Sequence, residues 1–423
     1  MSNGPMTNED LRRALEALRN GVPNRDAVRV LGCGQDRAVE RFGQQLAAVD
    51  EAALDDRQAE GMLLAGGFGS GKSHTLEHLR HLALEANFVC SLIVVSKETP
   101  LFDLGKVFAA AAETAVAPGI IGDAIKEIAL TLPEHSETYA EFSRWANSAQ
   151  IGIGQIFPAT LLLQERLKND PEMSEKVRGF WAGDSLPIAD VRLGMKQIGQ
   201  TAAFQIRTVS AKELPLQRFT FASRLIRAAG YRGWVLLIDE VELVARYSRL
   251  QRAKSYAELA RWLGKIETEQ ISGLTAVATI TEDFGAEMLH SKGDREYVVP
   301  LLESKNLADA AARAETGMRM IEREALYLAE PDNDALQRSY GTLKRIHAEA
   351  YAWSPPDLPS SRTSTTRRMR SYVRRWINEW DLHRLYPGEA LDTVETELKT
   401  DYSESAELQH APEETPPDLF ADL

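Results

Sequence analysis

The chain has 423 residues, of which 44% are hydrophobic and 26% charged. This composition is typical of an ordinary globular protein, and the length favours two or three packed units over a single core. The sequence holds no apolar run of about 18 residues, which excludes a transmembrane helix, and its polar N-terminus lacks the apolar segment of a signal peptide. Its two cysteines, Cys33 and Cys90, provide neither a disulfide framework nor a metal-ligand cluster. We therefore expect a cytoplasmic protein with no membrane partner.

The formal net charge of −13 is concentrated in the C-terminal tail. Residues 387–423 contain 11 acidic residues and one lysine, so the remainder of the chain is close to neutral. Net charge by itself therefore does not exclude nucleic acid as a partner. The tail is also rich in proline, and we expect it to be disordered.

The first elements in chain order are helical. Leucines recur at helical spacing behind a Thr7 or Asn8 cap. A glycine-rich loop further on is preceded by an apolar strand and followed by a helix. The near-continuous apolar run after that helix is typical of a parallel strand covered on both faces. Up to residue 95 the pattern thus predicts helices at 7–19 and 35–50, a strand at 62–65, a helix at 71–87 and a second strand at 88–95. The glycine-rich loop joins the first strand to the helix at 71–87.

The second part of the chain contains helices around two further strands. Residues 101–230 show helical patterns but no comparable strand, with the clearest helices at 101–117, 136–149 and 219–229. Strands are predicted at 234–238 and 274–280, and everything after Asn306 has a helical pattern, ending in a helix at 366–380. Strands that alternate with helices predict an α/β fold in which helices cover both faces of a parallel sheet. The wide gap before 234 predicts a large helical insertion.

The glycine-rich loop satisfies the phosphate-binding pattern G-x-x-x-x-G-K-[ST]. Glycines allow consecutive backbone N–H groups to surround phosphate oxygens, and the following helix adds its positive N-terminal end. We expect Lys72 to reach the β- and γ-phosphates of ATP and the Ser73 hydroxyl to hold Mg²⁺. The predicted nucleotide-binding residues are Gly66, Gly67, Phe68, Gly69, Ser70, Gly71, Lys72, Ser73 and His74.

Hydrolysis also requires an acid that organises Mg²⁺ and a base that orients water. Asp239 and Glu240 follow the apolar strand 234–238, at the strand end where ligands of open α/β sheets bind. We assign Asp239 to the Mg²⁺ shell and Glu240 to the attacking water, and we expect Lys72 to contribute to catalysis. Thr281, at the tip of the next strand, is a candidate contact for the γ-phosphate, with Thr279 behind it. A purely structural threonine is the alternative.

These features divide the predicted ATPase into five parts. An N-terminal helical segment packs on the core, a helical insertion interrupts the core, and a lid-like helical domain precedes an acidic tail. The predicted boundaries are 1–55 for the N-terminal segment, 56–100 and 215–305 for the P-loop core, 101–214 for the insertion, 306–386 for the lid-like domain and 387–423 for the tail.

Four stretches of the sequence resemble the ATP-binding proteins of BREX bacteriophage-exclusion systems, the BrxC/BrxD family, and within it the BrxD type. They are ALRNGVP at 17–23, GQDRAVE at 34–40, FWAGD at 180–184 and RAAGYRGWVLLIDEVE at 227–242. The resemblance implies an AAA-like P-loop fold of the ASCE type and a role in defence against phage DNA. It also implies a helicase or another defence-system protein as a partner. Trp181 in the third stretch is equally compatible with an ordinary core aromatic residue.

Arginines are abundant, and their roles stay open at this point. An arginine that neutralises charge at the γ-phosphate comes from the same chain or from a neighbouring subunit of a homo-oligomer. Separately, arginines interleaved with aromatic residues near 361–380 suit contact with DNA phosphates and bases. The alternative is a lid helix whose aromatic rings pack inward. The candidates for the γ-phosphate include Arg246, Arg249, Arg252 and Arg295, and those for DNA are Arg367, Arg368, Arg370, Arg374 and Arg375.

Three functions fit these observations. The favoured one is an ATP-hydrolysing protein of anti-phage defence that couples turnover to DNA or to a DNA-processing partner. The second is a nucleotide-switched adaptor or scaffold protein with slow turnover and no direct DNA contact. A helicase or translocase motor fits least, because the sequence shows no second strand set for another core.

Overall fold

The computed structural model describes residues 6–21, 25–148, 152–358 and 369–387. Within them, five parallel strands form one sheet in the order β2-β3-β4-β1-β5. The predicted α/β class, a parallel sheet flanked by helices, is confirmed. The strands are β1 (Met62–Ala65), β2 (Val89–Val94), β3 (Trp234–Asp239), β4 (Leu274–Ile280) and β5 (Leu326–Tyr327).

Strand β5 corrects the prediction that everything after Asn306 is helical. Leu326 and Tyr327 pair with Leu64 and Ala65 of β1 and extend the sheet at its edge. Two residues carry no detectable alternation of apolar and polar side chains, so the sequence pattern gave no sign of this strand. The four longer strands lie where they were predicted.

The two faces of the sheet have separate hydrophobic cores, because successive side chains of a strand point to opposite sides. Leu236 and Ile238 of β3 belong to one core, whereas Val235 and Leu237 belong to the other. The second core is covered by α3 (Asp36–Leu54) and α4 (Lys72–Glu85). Burial on both faces explains why the strands are apolar runs rather than alternating sequences.

The first face is covered by the helices between β2 and β3, whose core is continuous with that of the sheet. Trp181 is fully buried there and donates a hydrogen bond from Nε1 to Oγ1 of Thr160 at 3.0 Å. It is therefore a core residue of this helical region. The helices are α5 (Leu104–Glu113), α6 (Ala124–Leu130), α7 (Glu137–Ala146), α8 (Ile156–Arg166), α9 (Pro171–Ala182), α10 (Ile188–Gln197) and α11 (Leu214–Ala228).

Three helices pack against one another, and a buried polar cluster joins two of them. They are α12 (Arg249–Trp262), α13 (Asp294–Ser304) and α14 (Ala308–Arg323), and a π-helix at Gly285–Ser291 precedes α13. The fully buried Arg252 donates from Nε and Nη2 to the two oxygens of Asp294, at 2.8 and 2.9 Å. Tyr256 donates to the same carboxylate at 2.8 Å. Asp294 thereby fixes the start of α13 against α12.

The N-terminal helix packs with the C-terminal helices rather than with the sheet. Leu11 and Leu15 of α1 (Asn8–Asn20) share a core with α15 (Asn333–Tyr351) and α16 (Met369–Leu385). Thr7 and Asp10 form the capping box that begins α1. Helix α2 (Arg25–Leu31) contacts both α1 and α4. Within the predicted N-terminal segment 1–55, therefore, α3 covers the sheet and α1 does not. The predicted boundaries of the five parts of the chain stay predictions.

Two sequence predictions concern the ends of the chain. The predicted disordered tail lies beyond Pro387, outside the described residues. Among the described helices, none is long and apolar enough to cross a membrane.

Replacing Asp294 by Asn tests the buried cluster. The variant leaves the guanidinium of Arg252 buried without its counter-charge, which typically costs about 3–5 kcal/mol of stability. We expect a clearly lower midpoint of urea unfolding, followed by circular dichroism. Asp55→Asn is the matched control, because Asp55 pairs with Arg57 at the surface, where such pairs contribute about 0–1 kcal/mol. Equal midpoints for the two variants would contradict the role of Asp294.

Candidate functional site

The carboxyl ends of β1, β4 and β3 meet at one edge of the sheet, because the three strands are parallel neighbours. The backbone N–H of Gly66, just after β1, donates to the carbonyl of Ile280 at the end of β4, at 3.1 Å. Asp239 is the last residue of β3. This edge therefore brings together the glycine-rich loop, the acidic pair and Thr281, which stand far apart in the sequence.

The glycine-rich loop has the backbone that an anion-binding loop requires. Gly69 and Gly71 adopt positive φ values of 78° and 99°, which side chains larger than glycine rarely tolerate. Helix α4 begins at Lys72, so its first backbone N–H groups and its positive end face the loop. The hydroxyl of Ser70 is buried without a hydrogen-bond partner. These features suit the oxygens of a phosphate group.

Lys72 is buried and bonded on two sides. Its Nζ donates to the carbonyl of Gly66 at 3.0 Å and lies 3.4 Å from Oε1 of Glu242. Burial raises the pKa of Glu242, and the neighbouring Lys72 acts against that rise. Glu242 is a site residue that the sequence analysis missed. The signal was a third acid three residues after Asp239, in the 3₁₀ helix Val241–Arg246.

Asp239 is held by two hydrogen bonds. Its Oδ1 accepts from the hydroxyl of Thr279 at 2.5 Å and from the backbone N–H of Glu240 at 2.9 Å. Thr279 reaches it because β3 and β4 are paired in register up to Ile238 and Ala278. The remaining carboxylate oxygen is the one available for a ligand at the sheet edge. Thr279 thus positions Asp239.

Glu240 adopts a left-handed backbone conformation, with φ of 59°, which is strained for a residue with a side chain. The turn leaves Glu240 exposed, whereas the next two residues, Val241 and Glu242, are buried in the 3₁₀ helix that follows. Partial burial raises the pKa of Glu240, and the adjacent Asp239 raises it further. Glu240 therefore stands at the edge of the site, where solvent water reaches it.

The remaining predicted residues surround the loop. Thr281 is buried directly after β4, and Ser73 lies half-buried on the first turn of α4. Phe68 is partly exposed at the loop tip. The His74 ring contacts the backbone: its Nε2 lies 2.6 Å from the carbonyl of Gly32. Burial lowers the pKa of His74, which favours the neutral ring as a donor. A contact of His74 with nucleotide stays a prediction.

Residues with oxygen donors for Mg²⁺ are present at the same edge. Ser73 offers a hydroxyl and Asp239 a carboxylate, which fits an ion that is commonly held by one or two protein oxygens together with phosphates. Across the described residues, no group of three or more His, Cys, Asp or Glu side chains could hold a metal on its own. The donor set thus suits a metal that arrives with a nucleotide.

The candidate arginines differ in their surroundings. Arg252 is fully buried and bound to Asp294, which excludes it from the candidates for the γ-phosphate contact. Arg249 is exposed and stacks over Tyr297 at 4.9 Å. Arg295 pairs with Glu322. Arg246 is exposed, and its charge is close enough to lower the pKa of Glu240 against the effects that raise it.

The predicted DNA-contacting arginines lie partly outside the described residues, as Arg367 and Arg368 do. Arg374 is exposed on α16, Arg375 pairs with Glu379 at 2.6 Å, and Arg370 approaches the carbonyl of Asn20 at 3.4 Å. Of the interleaved aromatic rings, Trp380 is fully buried, and the half-buried Trp376 contacts Tyr340 edge-on. Trp380 is therefore no platform for a base, which corrects that part of the hypothesis.

Comparison with known proteins agrees with this site. The family model described as "BREX system ATP-binding protein BrxC/D" matches residues 6–127 and 202–377. The chain therefore belongs to the BREX system ATP-binding proteins, and the family implies nucleotide binding and a role in phage defence. No curated protein and no solved structure matches the chain.

The match confirms the family predicted from the sequence and covers three of the four stretches that carried the resemblance. The stretch at 180–184, with Trp181, lies between the two matched ranges. The family description covers BrxC and BrxD together, so the BrxD type stays a prediction.

Lys72→Ala tests the loop as the nucleotide site. Charge-assisted hydrogen bonds contribute about 1.5–3 kcal/mol each, so we expect ATP affinity to fall by roughly 100-fold, measured by isothermal titration calorimetry. Lys265→Ala is the matched control: Lys265 also bridges two carboxylates, of Glu60 and Glu324. It follows α12, and its partners directly precede β1 and β5, at the opposite edge of the sheet. Unchanged affinity in the Lys72 variant would contradict the site.

Proposed function

We propose that this protein binds ATP with Mg²⁺, hydrolyses ATP to ADP and phosphate, and couples turnover to DNA or to a DNA-processing partner such as a helicase during phage defence. The observation that carries the proposal is the meeting of Lys72, Asp239 and Glu240 at one edge of a parallel sheet. ATP binding follows from the family; hydrolysis, Mg²⁺ and the partners belong to the proposal. We also propose a cytoplasmic location.

Each residue of the site has a distinct proposed role. Backbone N–H groups of the loop and the Lys72 ammonium bind the phosphates, and the Ser73 hydroxyl and the Asp239 carboxylate hold Mg²⁺. When bound, Mg²⁺ would neutralise charge on the phosphates. Glu240 orients the attacking water and accepts its proton. Its exposure at the mouth of the site and its raised pKa suit a general base. Thr281 contacts the γ-phosphate from the end of β4.

The strand order supports an AAA-like fold of the ASCE type. In that type one strand separates the strand before the phosphate-binding loop from the strand that carries the acids. Here β4 lies between β1 and β3. Because β4 lies between these two strands, Thr281 at its end would approach the nucleotide between the phosphate-binding loop and the acids.

The charge that develops at the γ-phosphate needs one further cation. Arg246 is the candidate in the same chain, because it is exposed and acts electrostatically on Glu240. Arg249, with its guanidinium stacked on the exposed ring of Tyr297, is a candidate that would act on a neighbouring subunit. A homo-oligomer is therefore part of the proposal.

The second candidate function is a nucleotide-switched adaptor or scaffold protein with slow turnover and no direct DNA contact. The burial of Trp380 favours it, because this ring offers no stacking platform for a base. Contacts with DNA phosphates require only exposed arginines, such as Arg374, so this helix still permits them.

Glu240→Gln tests hydrolysis. The amide keeps the shape of the side chain but accepts no proton, so we expect ATP affinity within about twofold of the natural protein and turnover reduced about 10²–10⁴-fold. Steady-state phosphate release and calorimetry measure the two quantities. Glu267→Gln, a substitution of the same kind in the short helix before β4, should leave both unchanged. Loss of affinity together with turnover would show that Glu240 acts as a metal ligand or structural residue.

Arg374→Glu tests coupling to DNA. If α16 contacts phosphates, single- or double-stranded DNA should accelerate ATP turnover by the natural protein. The charge reversal should then weaken that stimulation and lower the salt dependence of binding. Arg166→Glu, an exposed position on α8, is the control. If DNA neither binds nor changes turnover in fluorescence anisotropy and phosphate assays, the adaptor function is favoured instead.

A further inference from the structure

Glu242 and Lys72 form a buried ion pair inside the phosphate-binding site. Their side chains are 10% and 9% exposed, and Oε1 of Glu242 lies 3.4 Å from Nζ of Lys72. The two groups come from different elements, the 3₁₀ helix after β3 and the first turn of α4. Lys72 is also the side chain that the proposed function assigns to the phosphates.

The negative charge of Glu242 is compensated by Lys72. Its second oxygen, Oε2, is buried without a hydrogen-bond partner. A buried carboxylate is costly unless an opposite charge compensates it. Around Glu242 the nearest opposite charge is the ammonium of Lys72, while the other neighbouring charge, that of Asp239, is negative. Lys72 therefore compensates the buried carboxylate when no nucleotide is bound.

We propose that Glu242 is a positioning residue that competes with the nucleotide phosphates for Lys72. Binding of ATP then moves the ammonium from the carboxylate to the β- and γ-phosphates, and release of ADP returns it. This inference rests on the proposed function, because it requires Lys72 to bind phosphate.

The competition lowers nucleotide affinity in two ways. The ion pair must be broken, and a carboxylate that has lost its partner then faces phosphate anions across a poorly hydrated site, where like charges repel strongly. Removing the charge of Glu242 should therefore tighten binding. A residue that only maintains the shape of the site would have the opposite effect when replaced.

Glu242→Gln keeps the size of the side chain and removes its charge. We expect ADP without Mg²⁺ to bind about tenfold tighter or more, because the nucleotide-free protein no longer has the charge-assisted hydrogen bond between Lys72 and Glu242 that ADP must break. Calorimetry measures the affinity, and stopped-flow release of a fluorescent ADP should slow by a similar factor. In steady state the KM for ATP should fall. Glu242→Asp, which retains the charge on a shorter side chain, should give an intermediate affinity.

Glu258→Gln is the matched control. Glu258 is also 10% exposed and pairs with a buried cation, Arg261, at 2.7 Å, but it lies on α12 in another part of the fold. Both variants lose a buried charge and should melt at lower temperature, but Glu258→Gln should leave ADP affinity unchanged. In nucleotide-free protein, Lys72→Ala/Glu242→Gln should melt higher than Lys72→Ala, because the double variant no longer buries an uncompensated carboxylate.

Two results would overturn the proposal. Weaker or equal ADP affinity in Glu242→Gln shows that the carboxylate does not compete for Lys72. Weaker binding of ATP only when Mg²⁺ is present assigns Glu242 to the metal instead. In both cases the proposed function stands if Lys72→Ala still loses ATP. If the natural protein binds no ATP, the function itself fails.

Discussion

Parallel pairing of β1, β4 and β3 is the constraint on which the site depends. Parallel strands end at the same edge of a sheet, so the loop after β1, the acids after β3 and the threonine after β4 converge without any specific attraction between them. Side-chain contacts and the local backbone then place the individual groups within the site. Thr279 orients Asp239 through a hydrogen bond. The left-handed backbone at Glu240 leaves this side chain exposed, whereas Glu242 is buried beside Lys72.

The acids after β3 illustrate how one short segment produces three environments. Asp239 is bonded to neighbouring donors, Glu240 is partly hydrated, and Glu242 is enclosed with a lysine. The three carboxylates therefore have different chemical environments, although they lie within four residues of one another. A strained backbone at such a position is typical of functional sites.

The N-terminal helices connect the site to the C-terminal helices. The carbonyl of Gly32 contacts His74 on α4, and α1 shares a core with α15 and α16. The buried His347 of α15 lies 3.3 Å from Asp381 of α16, which also pairs with Arg19 of α1. Helices α2 and α1 thus connect α4 to α16, the helix that carries Arg374, through packing contacts.

The sequence by itself determined the elements whose signal is local. The phosphate-binding loop, the four longer strands and the Asp239–Glu240 pair follow from glycine spacing and apolar runs, and the BREX family was evident from short stretches around them. Only the tertiary structure decided what depends on distant partners. The two-residue strand β5 exists because β1 offers it an edge, and α1 joins α15 and α16 because its leucines fit a core built more than 300 residues later. Arg252 and Trp380 are buried because Asp294 and the C-terminal core enclose them. Glu242 meets Lys72 for the same reason: an ion pair between residues 170 positions apart leaves no periodic trace in a sequence.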